Sequence, residues 1–192
     1  MRVALCGAGG TGKTTLAKEI NKRFGIPLVK EFAREISEEM GINIRSIPQD
    51  KIYEFQCRIL SRKIAEEDKH PTFISDRSAA DNMAYYLQLC SGVTSDDKNR
   101  DYINRCLHRL RMYDYVVVIP PIIPLENDGF RLEQCVYRQY EIHCLLLGIL
   151  MDNGIGWTII NESDLEKRVS IIRSFFENKI DIRHTNPTET RA

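Results

Sequence analysis

The chain has 192 residues, 43% hydrophobic and 28% charged, a balance that suits a single globular domain and excludes disorder over most of its length. Lys plus Arg and Asp plus Glu both number 27, so the net charge is zero; whole-chain charge thus excludes a strongly basic nucleic-acid binder, though not a local basic groove. No apolar run is long enough to span a bilayer, and the opening Met1-Arg2-Val3-Ala4-Leu5-Cys6-Gly7 lacks the apolar core and cleavage signal of a secretory leader.

Val3-Ala4-Leu5 reads as a short apolar strand running into glycines. A helix is expected over 13–24, with Leu16, Ala17, Ile20 and Phe24 at helical spacing and Gly25 as its stop. A second strand follows at 27–31, a helix at 49–67 opened by Pro48, and a third strand at 72–76. Charge-rich helical sequence continues to 112. Tyr115-Val116-Val117-Val118-Ile119 is a near-continuous β-branched run, the pattern of a strand buried on both faces. A helix over about 133–153, a strand at 157–160 and a last helix at 164–178 complete the pass, before a polar tail. Strands alternating with helices predict an α/β fold with a parallel sheet and helices on both faces. Ligands of such sheets bind outside the carboxyl ends of the strands. One domain is expected over 1–182, with a lid at about 120–140 and a tail at 183–192.

Six cysteines, Cys6, Cys57, Cys90, Cys106, Cys135 and Cys144, form no C-x-x-C pair and no zinc-finger spacing. Free buried thiols in a reducing cytoplasm are the expectation. The four histidines are isolated and make no catalytic dyad or metal set.

The strongest motif follows the first strand. Gly7-Ala8-Gly9-Gly10-Thr11-Gly12-Lys13-Thr14 is G-x-x-x-x-G-K-[ST] between a strand and a helix. Glycines let successive N–H groups converge on phosphate oxygens, and the helix behind adds the positive end of its dipole. Lys13 reaches the β- and γ-phosphates, and the Thr14 hydroxyl suits Mg²⁺, with Thr15 beside it. The loop thus predicts a nucleoside triphosphate with Mg²⁺, without naming a reaction.

Asp76, in Ser75-Asp76-Arg77-Ser78, falls at the carboxyl edge of the third strand. A carboxylate there holds Mg²⁺ or takes a proton from an attacking hydroxyl; the alternative is a cap on the next helix. Arg77 is either a bidentate phosphate clamp or a surface charge. Glu31-Phe32-Ala33-Arg34-Glu35 leaves the second strand on the same edge. There Glu31 would bind a sugar hydroxyl or act as base, Arg34 would orient phosphate, and Phe32 would stack on a base; an ordinary helix start with solvated charges is the other reading. Tyr85 and Tyr86 line a substrate pocket or pack in the core. Arg131, in Leu125-Glu126-Asn127-Asp128-Gly129-Phe130-Arg131, and Arg138 two helical turns on are candidate lid arginines for a transferring phosphoryl group, or loop charges paired to nearby acids such as Glu141. Arg105, Arg109 and Arg111 read as a solvated face.

Taken together, Gly7–Thr14, the Glu31–Glu35 motif, Ser75-Asp76-Arg77-Ser78 with Asp81 and Tyr85, and Asp128-Gly129-Phe130-Arg131 resemble the P-loop kinases, in particular the ribosylnicotinamide-kinase-like branch of AAA-type P-loop proteins, which includes phage-encoded nucleotide kinases. Asp76-Arg77-Ser78 is also similar to the acid-Arg-Ser motif of deoxynucleoside kinases. The resemblance implies a P-loop NTPase fold with strand order 2-3-1-4-5 and ATP with Mg²⁺ at the loop. It further implies Asp76 as catalytic or metal-organising acid, Glu31 and Arg34 in the acceptor site, and Arg131 and Arg138 in the lid. No adenylyltransferase segment is read in the sequence, so the acceptor need not be ribosylnicotinamide. The expected activity is Mg-ATP-dependent phosphoryl transfer to a nucleoside or nucleotide. The alternatives are a kinase acting on 5-hydroxymethyl-pyrimidine bases in DNA, and a P-loop ATPase switch working through a protein partner.

Overall fold

A computed structural model describes residues 1–124 and 135–177. Among these the chain runs β1 (Arg2–Cys6), α1 (Lys13–Phe24), β2 (Leu28–Val29), α2 (Ala33–Glu39), α3 (Gln49–Glu67), β3 (Phe73–Asp76), α4 (Ala79–Leu89), α5 (Asp96–Leu110), β4 (Tyr115–Val118), α6 (Val136–Asp152), β5 (Thr158–Ile159) and α7 (Leu165–Glu177). The strands form one parallel five-stranded sheet in the order β2-β3-β1-β4-β5, as the resemblance implied.

The period-2 alternation of strand side chains divides the core into two layers. Val3, Leu5, Ile74, Tyr115 and Val117 point to one face, where Leu16, Ala17 and Ile20 of α1 and Val169, Ile172 and Phe175 of α7 cover them. Ala4, Cys6, Val29, Phe73, Val116 and Val118 point to the other, under the apolar stripes of α3, α4, α5 and α6. Both faces are covered, which is why the central strands read as unbroken apolar runs.

The register sets the site. Leu5 pairs with Asp76 and Cys6 with Val118, so the loop leaving β1 and the acid ending β3 emerge side by side at the carboxyl edge. Helix α2 is the helix start that the sequence offers as the other reading of Glu31–Glu35. The two outer strands are only two residues long, shorter than expected, because each pairs on one side alone.

Candidate active site

The phosphate loop wraps from β1 to α1. Gly12 occupies the N-cap position of α1 with φ 87°, a left-handed conformation that side chains resist. A Cβ there would also lie 2.8 Å from a terminal guanidinium nitrogen (Nη1) of Arg168. Lys13 is 4% exposed; its Nζ donates to the Ala8 carbonyl at 2.6 Å and to Thr11 Oγ1 at 3.2 Å. The ammonium is therefore held inside the loop where phosphate would enter.

Thr14 Oγ1 donates to Asp76 Oδ2 at 2.6 Å. Asp76 is 3% exposed. This hydroxyl–carboxylate pair offers hard oxygen ligands beside the loop, a donor set that fits Mg²⁺ completed by water and phosphate. It does not fit a metal held entirely by protein: no group of three or more His, Cys, Asp or Glu side chains suited to a metal ion occurs among the described residues. Asp76 does not cap α4. Ser78 does so, its Oγ accepting from the Ala80 and Asp81 amides, while Asp81 accepts from the Ser78 amide in a reciprocal capping box. Asp76 is thereby left facing Thr14.

A cleft of about 850 Å³ opens along the loop and continues over the ends of β2 and β3. It is lined by Gly9, Gly10, Gly12, Lys13, Thr14, Thr15 and Asp76 on the loop side, and by Glu31, Phe32, Arg34, Arg77 and Tyr85 beyond. The structure thus gathers residues separated by up to 76 positions into one wall. Glu31 Oε1 accepts from the Ala33 amide at 2.7 Å, and Phe32 at the N-cap position of α2 is buried. Arg77 takes φ 75°, a strained backbone for a side-chain-bearing residue, and its guanidinium lies 4.8 Å from the centre of the Tyr85 ring. Tyr86, by contrast, stacks on Tyr102 in the core at 3.9 Å.

The two candidate lid arginines stand differently. Arg131 lies outside the described residues, as does the whole of its motif, Leu125 to Arg131. Arg138, on α6, forms an exposed ion pair with Glu141 at 2.6 Å and is not among the residues lining the cleft. The pairing read as its alternative is the one the structure displays.

Several residues at the site escaped the sequence reading. Gln56, Ile59 and Lys63 of α3 and Asn82 of α4 line the cleft. Three further side chains grip the loop from outside. Asp81 Oδ1 accepts from the Gly7 amide at 3.0 Å, Gln139 donates to the Gly9 carbonyl at 2.7 Å, and Arg168 donates to the Thr11 carbonyl at 2.9 Å. They come from α4, α6 and α7. Burial lowers the pKa of Arg168 from its ordinary value. At the loop's root, burial, with Asp81 adding repulsion, pushes the Cys6 thiol well up, so it stays protonated.

Arg109 also departs from expectation. It is 3% exposed, not solvated. Its Nε donates to Glu67 at 2.5 Å and a terminal nitrogen to Asp68 at 2.6 Å. Glu67 also accepts from Ser75 and Tyr113, and Lys63 donates to Ser75 at 2.6 Å. This buried cluster backs the end of β3 directly behind Asp76.

A parallel sheet in this order, with a glycine loop running from β1 into α1, is the P-loop architecture. The chain belongs to the AAA domain family, whose model matches residues 2–168. Its fold is similar to that of the NadR protein in complex with NR, at 21% identity and TM-score 0.68, covering 91% of this chain and 50% of that one; this chain spans about half the length of the NadR structure. It is likewise similar to deoxyadenosine kinase from M. mycoides with bound dCTP, at 15% identity and TM-score 0.60 over 92% of this chain and 99% of the other. Shikimate kinase from Acinetobacter baumannii in complex with shikimate matches at 15% identity and TM-score 0.55 over 93% and 94%. These are likenesses of fold. No match was found among curated proteins. No helix among the described residues is long and apolar enough to cross a membrane.

Proposed function

We propose that this chain is a kinase that transfers the γ-phosphoryl group of Mg-ATP to a hydroxyl or phosphate of a nucleoside or nucleotide. The observation that carries this reading is the single cleft that joins the phosphate loop, Lys13 and the Thr14–Asp76 pair to a second compartment edged by Glu31, Arg34 and Tyr85. A switch ATPase needs a phosphate site; it has no need of an acceptor room beside it. The kinds of fold neighbour agree: a deoxyadenosine kinase, a shikimate kinase and NadR with NR are each named for, or solved with, a small acceptor or its product.

The chemistry follows from placement. Backbone amides of the loop and the Lys13 ammonium would offset the negative charge of the β- and γ-phosphates. Thr14 and Asp76 would hold Mg²⁺, which when bound would supply further neutralisation of phosphate charge. Asp76 lies at the junction of the two compartments, where it orders the metal's shell or accepts the proton of the acceptor hydroxyl. Glu31 and Arg34 hold the acceptor in line, and Arg77, stacked on Tyr85, adds a cation to the wall. Such a site works by positioning and electrostatics more than by covalent chemistry. By the resemblance, Arg131 and Arg138 would serve as lid arginines of this proposal, Arg138 exchanging its ion pair with Glu141 for the transferring phosphoryl group.

The experiment is steady-state ADP formation from Mg-ATP with candidate nucleosides and nucleotides, for the natural chain and for Lys13→Ala. Acceptor-dependent ADP formation that Lys13→Ala abolishes is expected. Full activity in Lys13→Ala contradicts the mechanism.

A further inference from the structure

Asn82 stands in the first turn of α4 and lines the cleft. It is 6% exposed, and its Oδ1 is buried without a hydrogen-bond partner. Buried oxygens are nearly always satisfied, and an orphaned one is a standing cost that a bound donor recovers. Tyr85 lies three residues on, on the same face of the helix, and Phe55 and Ile59 of α3 line the same cleft. The orphan thus belongs to a compartment walled by flat and apolar side chains. An amide oxygen can only accept, so its missing partner is an N–H or O–H group. Sugar hydroxyls have carboxylates to meet at Asp76 and Glu31, which line the same cleft. Among the described residues that line the cleft, the side chains with an uncharged amide, able to meet the edge of a planar ring, are Asn82 and Gln56.

Resting on the kinase reading, we propose that Asn82 determines specificity. Its Oδ1 accepts a hydrogen bond from a ring N–H or exocyclic amino group of the acceptor's base, so the substrate is a nucleoside-type molecule whose planar ring carries such a donor.

Matched acceptor pairs test this. Adenosine is compared with purine riboside, cytidine with its 4-deamino analogue, and 5-hydroxymethyl-2′-deoxyuridine with its N3-methyl derivative, each by ADP formation from Mg-ATP. In the pair that is turned over, the donor-bearing member is preferred in kcat/KM by about 10- to 100-fold. Asn82→Leu collapses that preference, lowering kcat/KM for the donor-bearing member far more than for its partner. Asn82→Asp, which keeps an acceptor oxygen, retains the preference and keeps the test decisive if the leucine variant fails to fold. Equal turnover of both members by the natural chain, or an undiminished preference in Asn82→Leu, overturns the inference and leaves the kinase standing. ADP formation indifferent to every acceptor overturns the kinase reading and this inference with it.

Discussion

Asp81 commits both carboxylate oxygens to holding the chain in shape. One accepts from the Gly7 amide at 3.0 Å, the other from the Ser78 amide and hydroxyl at 2.7 and 2.8 Å. The first bond ties the phosphate loop to α4; the second closes the capping box. Asp81→Ala removes a cap and strands a buried amide, an expected loss of about 2–4 kcal/mol, which calorimetry should record as a fall in Tm on the order of 10 °C. Gly12 is the complementary case. Gly12→Ala forces a Cβ into a left-handed backbone, costing about 1–2 kcal/mol, and drives it against Arg168. The loop rather than the core absorbs this, so we expect the KM for ATP to rise by about tenfold or more while Tm falls little. An unchanged KM would show that the loop's shape does not set nucleotide affinity. Gly12 was legible because its motif is local. Asp81 entered the sequence analysis only as part of the resemblance, and its tie to the loop stayed hidden because its partner Gly7 stands 74 positions away and no spacing rule links them.

At the scale of elements, α3 and α5 meet through charge as well as grease. The buried set of α3 is Phe55, Gln56, Ile59, Leu60, Lys63 and Glu67, and that of α5 is Tyr102, Cys106, Arg109 and Leu110. Lys63, Glu67 and Arg109 thus sit on the stripes that face the core. That was the available signal: an ion at an apolar register position is either an error of pattern or half of a buried pair. Reading Arg105, Arg109 and Arg111 as one solvated face missed it, because counting charges along a segment hides which face each occupies. The pairing also spans 42 residues from Arg109 to Glu67. Glu67→Ala leaves Lys63 and Arg109 buried without their shared carboxylate, and breaking such a pair costs about 3–5 kcal/mol. Thermal or urea unfolding checks this, and a loss near zero would mean that water reaches the cluster. Helix α2 stood in the sequence only as the other reading of Glu31–Glu35, for a related reason. Its seven residues bury only Ile36 and Ser37, too short a stripe for periodicity to reveal.

For the whole molecule, strand–helix alternation gave the parallel sheet and its two covered faces directly. The order β2-β3-β1-β4-β5 was not contained in any pattern of residues; it came from the resemblance carried by the loop and the acidic motifs. The thiols offer a check on the packing. All six are free, but only Cys6, Cys90 and Cys106 are buried, while Cys135 and Cys144 are exposed and Cys57 is intermediate. The expectation of buried thiols throughout is corrected by α6, whose outer face carries Cys144 and whose N-cap is Cys135. Burial pushes Cys90 up to about 12, so at neutral pH it is both shielded and protonated. Maleimide should label two cysteines quickly in the native chain, Cys57 more slowly, and all six only after denaturation. Rapid labelling of Cys6 would place the loop's root in solvent and contradict the packing. The central claim is that the loop and the neighbouring compartment act as one site. The measurement that reaches it most directly is mass spectrometry of acceptor and ADP from one Mg-ATP reaction: the account predicts one phosphorylated acceptor for each ADP formed, whereas ADP accumulating with free phosphate and an unmodified acceptor would contradict it.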